Sequence, residues 1–169
     1  PKNAKILYTS SDGKIVTPAN ANVFGATITS NTYIDGKGVI TFNGDVTMIG
    51  NKAFYGKDQL TSITLPNSVT TIGDSAFYNC DSLTSVNIPD SVTTIGNGAF
   101  YGCDSLKKVY CYATIPPSLG GNAFYVNASG RRIYVYEECV ELYKSAWSSY
   151  KDSIYPNGQN CPDTTTIEY

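Results

Sequence analysis

The chain of 169 residues contains no histidine. Ser/His and Cys/His nucleophile pairs are thereby excluded, as is every histidine-ligated zinc centre. Charge is scarce: 15% of residues are Asp, Glu, Lys or Arg, against about 25% in ordinary globular chains. The net charge of −2 gives no electrostatic case for nucleic acid or an anionic membrane. Unbroken apolar runs stop at about four residues, as in Val39-Ile40-Thr41-Phe42, whereas a membrane helix needs about 20. No signal peptide is visible, and the opening Pro1-Lys2-Asn3 reads as a processed or trimmed start. The cysteines (Cys80, Cys103, Cys111, Cys139, Cys161) are odd in number and form no CxxC, so they read neither as a disulfide framework nor as a zinc site.

Hydroxyls and tyrosine take the place of charge. Ser and Thr together number 34, Asn 14 and Tyr 14, a polar, uncharged, β-favouring mixture. Within it runs a period of 23. Leu60, Leu83 and Leu106 are 23 apart, as are Ile63, Val86 and Val109, and Val46, Val69 and Val92. The same step links Ile49, Ile72 and Ile95, then Phe54, Phe77 and Phe100, with Phe124 following after one inserted residue. Such a period predicts a solenoid, because one coil cannot bury its own apolar face and must stack on neighbours. Leu60 to Leu65 fits a short strand with Ile63 and Leu65 inward, ended by Pro66, which lacks an amide donor. Val69 to Gly73 fits a second short extended stretch on the opposite wall, where Gly73 permits either a positive φ or close packing.

The motif Leu-x-x-Ile/Val-x-Ile/Leu-Pro-x-Ser-Val-Thr-x-Ile-Gly-x-x-Ala-Phe-x-x-Cys, met almost without exception over residues 60–103, resembles the BspA-like leucine-rich repeats of bacterial surface proteins. Residues 37–59 match with Asn43 in the Pro slot and Lys57 in the Cys slot. Residues 106–125 keep Leu106, Val109 and Phe124 but replace the corner with Ala113 to Leu119. The resemblance implies a right-handed leucine-rich-repeat solenoid, mainly β with short turns and 3-10 segments. It also implies secretion or display on gut and oral anaerobes, with a leader or lipoprotein segment removed, and adhesion to host or bacterial proteins. It supplies no catalytic residues.

The expected organisation is an N-terminal β cap over 1–36, about four repeats over 37–129, a strand and capping helix over 130–155, and a polar tail over 156–169. The cap is expected as a hairpin of Tyr8 to Val16 around the Asp12-Gly13 turn. Val140, Tyr143, Trp147, Tyr150 and Ile154 step by 3, 4, 3 and 4, which predicts one helix of about four turns covering the last coil. The tail is expected either to be mobile, to extend the fold, or to lead to an anchor.

Candidate sites each have an ordinary alternative. The outward strand slots, Val39, Thr41, Ser62, Thr64, Ser85, Asn87, Lys108 and Tyr110, form a face that turns bulky at the fourth coil; the binding face is assigned to Ser62, Thr64, Ser85, Asn87, Lys108 and Tyr110, against a merely solvated sheet. Four rungs offer on the order of 300 Å², short of the about 800 Å² of a standard interface, so binding is expected to be weak or multivalent. The aromatic ladder Tyr55, Tyr78, Tyr101 and Tyr125 could hold a sugar or protein, or simply stack on itself. Asp58, Asp81 and Asp104 suggest either calcium or turn capping. Cys80 and Cys103 share a ladder slot, as a disulfide or as inert buried thiols, Cys111 reads as core, and a bridge involving Cys161 is conceivable. Asp-Ser steps at Asp74, Asp81, Asp90, Asp104 and Asp152 resemble an O-glycosylation sequon of these anaerobes, or turn chemistry repeated by the array. The expectation is a monomeric, non-catalytic adhesion module without metal or cofactor, its partner a protein or glycan; a carbohydrate-binding module or a structural spacer is the alternative.

Overall fold

The computed structural model describes residues 3–162. Twelve strands lie among them: β1 (Lys5–Ser10), β2 (Ile28–Ile34), β3 (Lys37–Phe42), β4 (Met48–Ile49), β5 (Leu60–Thr64), β6 (Thr71–Ile72), β7 (Ser85–Ile88), β8 (Thr94–Ile95), β9 (Lys108–Cys111), β10 (Ser118–Leu119), β11 (Arg132–Val135) and β12 (Ile154–Pro156). The helix α1 spans Val140–Ala146. The chain winds between two walls. One wall is the parallel sheet β4-β6-β8-β10, with Ile49, Ile72 and Ile95 in successive register. The other carries the parallel sheet β7-β9-β11-β12, with Val86 opposite Val109 and Val109 opposite Ile133.

Each slot of the repeat has a local job. Ser68 and Ser91 donate to Val46 O and Val69 O of the preceding coil at 2.5 and 2.6 Å. Gly73 is there for close approach, since a Cβ would lie 2.7 Å from the Gly50 carbonyl carbon. Positive φ falls two residues later, at Lys52 (57°), Ser75 (54°) and Gly98 (59°). Between the walls Phe54, Phe77, Phe100 and Phe124 stack at centroid spacings of 5.4, 5.1 and 5.4 Å and are essentially unexposed. Phe24 closes this ladder edge-on at one end, and Trp147 closes it at the other. Both open ends of the core are thus plugged by aromatic rings, as an open solenoid requires.

The two ends depart from expectation. The Asp12-Gly13 segment does not form a hairpin; the N-terminal hairpin is β2–β3, turning at Asp35 (φ 51°) and Gly36 (φ 76°). β1 instead inserts between β3 and β5, antiparallel to both. Tyr8 explains the choice. Its ring covers Gly38, where a Cβ would be 2.3 Å away, and its hydroxyl donates to Asn31 Oδ1 at 2.7 Å while accepting the Val16 amide at 3.2 Å. The Val16 amide is thereby held by the tyrosine hydroxyl, and the ladder positions beside β1 are taken by β3 and β5.

The four-turn helix is also corrected. α1 has 7 residues, preceded by a 3-10 turn at Glu137–Cys139 and followed by 3-10 residues Ser148–Ser153. Trp147 leaves the α region (φ −110°, ψ 53°), and its indole N–H donates to Pro117 O at 2.9 Å. Seating the indole outweighs one more helical turn, in a stretch where Ser148 and Ser149 give the helix little support. The inward stripe survives: Tyr143, Trp147 and Ile154 are buried, and Val140 and Tyr150 pack against the core. Residues 156–162 of the expected tail are described; 163–169 lie outside the described residues.

Candidate binding face

The outward slots of the strands form two rows. One runs Thr9 and Ser62 in the sheet β2-β3-β1-β5 and continues as Ser85, Lys108 and Arg132 in the sheet β7-β9-β11-β12. The other runs Val39, Leu7 and Thr64 in the first and Asn87, Tyr110, Tyr134 and Tyr155 in the second, with β5 beside β7 but not paired to it as a ladder. Among the residues expected in the face, Thr64, Asn87 and Lys108 are exposed, and Ser62, Ser85 and Tyr110 are half-buried. The insertion of β1 separates Val39 and Thr41 from Ser62 and Thr64, so those two pairs are not adjacent rungs.

The face is chemically divided. On β5 and β7 it offers small hydroxyls and an amide. From β9 to β12 it becomes aromatic and basic. Tyr110 and Tyr134 stack at 5.1 Å, Tyr155 tilts against Tyr134 at 6.5 Å, and the Arg132 guanidinium lies 4.3 Å from the Tyr155 ring centre. Lys108 stands beside Arg132. Sequence reasoning stopped at Tyr110 and missed Arg132, Tyr134 and Tyr155. The signal was weak: Tyr110 to Tyr134 is a step of 24 and Tyr134 to Tyr155 a step of 21, so neither keeps the period.

The other aromatic ladder lies in the turns that follow β4, β6, β8 and β10. Tyr55, Tyr78, Tyr101 and Tyr125 stack at 5.0, 4.9 and 6.2 Å with nearly parallel rings. Each inner ring has both faces covered by its neighbours, leaving edges for solvent. Beside Tyr125 lies a groove of about 610 Å³ where the last coil meets the cap, lined by Asn127, Arg131, Trp147 and Tyr150 among others. Arg131 holds this junction: Nη1 donates to Phe124 O at 3.0 Å, and the guanidinium packs 5.2 Å from the Tyr150 ring. Partial burial depresses its pKa below the usual arginine value.

Asp58, Asp81 and Asp104 accept no backbone amide among the described residues, contrary to the capping expected of them. Capping falls to a different ladder: Asn51 accepts the Asp74 amide, Asp74 the Asn97 amide, and Asn97 the Gly121 amide, each at 2.8 Å. No cluster of three metal-ligating side chains occurs among the described residues. Cys80, Cys103 and Cys111 are fully buried free thiols. Contact with Cys103 and burial push the Cys80 thiol far up, and burial pushes Cys111 up to about 11. No described helix is long and apolar enough to cross a membrane.

The model of the BspA type leucine-rich repeat region matches residues 27–153 in six copies. Among solved structures, the chain is similar to a leucine-rich repeat protein from Bacteroides ovatus, with 36% identity over 63% of this chain and 28% of that one, at a TM-score of 0.48. It is also similar to the pneumococcal vaccine antigen PcpA, with 19% identity over 72% of this chain and 36% of that one, at a TM-score of 0.39. The chain thus spans less than two fifths of either protein. No match was found among the curated proteins.

Proposed function

The chain belongs to the BspA-type leucine-rich repeat family, and on that premise we propose that it is a non-catalytic adhesion module, secreted or held at the cell surface, whose strand face binds a protein partner. The single observation that carries this is the Tyr110–Tyr134–Tyr155 strip flanked by Lys108 and Arg132. Tyrosine and arginine are among the side chains enriched at protein interfaces and their hot spots. Tyr110 and Tyr134 cover one face of each other, Tyr155 tilts against the far side of Tyr134, and Arg132 lies over Tyr155, so the strip offers mostly edges and hydroxyls. A sugar needs a free ring face to stack on, so the geometry favours protein over glycan. The same holds more strongly for the Tyr55 to Tyr125 ladder, to which we assign self-support.

The face combines β3, β1 and β5 of one sheet with β7, β9, β11 and β12 of another, β5 lying beside β7. At about 4.8 Å per strand and roughly 15 Å of width they present on the order of 500 Å². That exceeds the four-rung expectation but remains below about 800 Å² per partner. Single contacts are therefore weak, and adhesion relies on many copies acting together.

The test is adhesion of beads coated with the chain to protein-coated surfaces or bacterial cells. The variant Arg132→Glu/Tyr134→Ala should lose at least about tenfold in bead retention, while Thr64→Ala/Asn87→Ala keeps most of it. Protease treatment of the target should abolish retention. Loss on glycosidase treatment alone would shift the ligand to a glycan, and equal retention by all variants would remove the strand face from consideration.

A further inference from the structure

Cys139 ends the 3-10 turn Glu137–Cys139 that leads into α1, and Cys161 lies beyond β12. Their sulfur atoms are 3.3 Å apart. The approach is built by the backbone. Asn157 N–H donates to Val135 O at 2.8 Å, Glu137 N–H to Gln159 O at 2.9 Å, and Cys161 N–H to Glu138 Oε2 at 2.9 Å. These bonds continue the β11–β12 pairing past Pro156 and lay the tail along residues 135–138, delivering Cys161 to Cys139. The two thiols differ in access: Cys139 is 5% exposed, whereas Cys161 is partly exposed. The other three thiols are committed to the core. Cys80 and Cys103 donate to Phe54 O and Phe77 O at 3.2 and 3.0 Å, and Cys111 Sγ meets the Tyr143 hydroxyl at 3.1 Å. Five cysteines thus resolve into one pair, buried Cys139 with partly exposed Cys161, and three residues committed to the core.

We propose that Cys139 and Cys161 form a disulfide that fastens the C-terminal cap when the chain meets a disulfide oxidant. The Cys161 thiolate attacks a sulfur of the oxidant, expelling one thiolate, which takes up a proton. The Cys139 thiolate then attacks the Cys161 sulfur and expels the second. The pair loses two electrons and two protons, and the oxidant's disulfide is reduced to two thiols. A disulfide bond is about 2.05 Å long, so the sulfurs must close by about 1.2 Å. The closed loop spans a separation of 22 residues and contains α1, the 3-10 segment Ser148–Ser153 and β12. It ties down the element that carries Tyr155, although the proposal does not depend on what the strand face binds. Burial, Cys139 and Glu138 push the Cys161 thiol up to about 12, so the exchange is slow at neutral pH and accelerates as pH rises.

The full chain, reduced and then incubated with oxidised glutathione, tests this. Thiol titration under denaturing conditions should fall from five to three. Tryptic digestion should yield Ile133–Lys144 joined to Asp152–Tyr169. The oxidised form should melt about 5–10 °C above the reduced form. Cys161→Ser should abolish both the joined peptide and the difference in melting temperature; Cys80→Ser should leave both in place. Retention of all five thiols, a glutathione adduct on Cys161 as the end product, a Cys80–Cys103 link, or a disulfide-linked dimer would each overturn the pairing. A joined peptide with no gain in melting temperature would overturn its role as a fastening.

Discussion

Two aromatic ladders climb the array side by side, one residue apart in sequence. Phe54, Phe77, Phe100 and Phe124 stack at 5.4, 5.1 and 5.4 Å; Tyr55, Tyr78, Tyr101 and Tyr125 stack at 5.0, 4.9 and 6.2 Å. Ring spacing scarcely separates them, but exposure does. The phenylalanines are 0–1% exposed, whereas Tyr55 and Tyr125 are 41% and 59% exposed. A 23-residue repeat makes every side chain the neighbour of its own copy, inside and outside alike. What differs is the water removed. A fully buried ring contributes its whole apolar area, while a rim ring keeps its edge and hydroxyl wet and gains little beyond contact with its neighbours.

The largest expected effect breaks the inner ladder. Phe100→Ala should destabilise the fold by about 3–5 kcal/mol, a large part of the about 5–15 kcal/mol that holds a domain together. In thermal unfolding this is a fall of roughly 6–20 °C. Phe77→Ala should behave alike, and the double variant should be non-additive because the two rings touch at 5.1 Å. Strict additivity would mean that the rungs act independently.

The outer ladder should respond far less. Tyr78→Ala removes a half-buried ring stacked on Tyr55 and Tyr101 and should cost about 1 kcal/mol, read as a small shift of the urea midpoint at unchanged slope. A loss equal to that of Phe77→Ala would show that the two ladders do the same work and that burial does not separate them.

The inner ladder was legible because buried slots repeat without slippage: Phe54, Phe77 and Phe100 keep a step of 23. The ends were not, because there the period stops and tertiary packing decides. Asp12-Gly13 is a strong hairpin signal, yet Tyr8 uses its ring on Gly38 and its hydroxyl on the Val16 amide. The stripe from Val140 to Ile154 named inward residues correctly, but only its first half is α-helical. The strand face proposed for binding was half legible. Lys108 and Tyr110 fall in the frame; Arg132, Tyr134 and Tyr155 join them through irregular spacings that only the sheet register aligns. The Cys139–Cys161 contact was hidden for the same reason, since it depends on the tail following β11.

The smallest effect comes from a ladder that repetition harms. Asp58, Asp81 and Asp104 occupy one slot on successive coils, and the middle carboxylate has a like charge on each side. Its pKa is raised by desolvation first, then by Asp104 and Asp58. A carboxylate whose pKa is raised in the folded state binds its proton more tightly there than in the unfolded chain. Its contribution to stability is therefore full below the unfolded pKa and is lost as pH rises through the folded value. At neutral pH the ionised Asp81 thus opposes folding, weakly, because the site is open to solvent. Asp81→Asn removes the charge and, after the discount for solvent screening at this exposed site, should raise stability at pH 7 by about 0.2–0.5 kcal/mol at low salt. The gain should shrink in 1 M salt, where the Debye length is about 3 Å, and should vanish below about pH 3, where the parent carboxyl is itself protonated. Melting temperatures of the two proteins across pH and salt provide the measurement. A loss on substitution at pH 7 would show that the carboxylate makes a favourable contact outweighing its two like-charged neighbours, and that repetition harms no rung of the array.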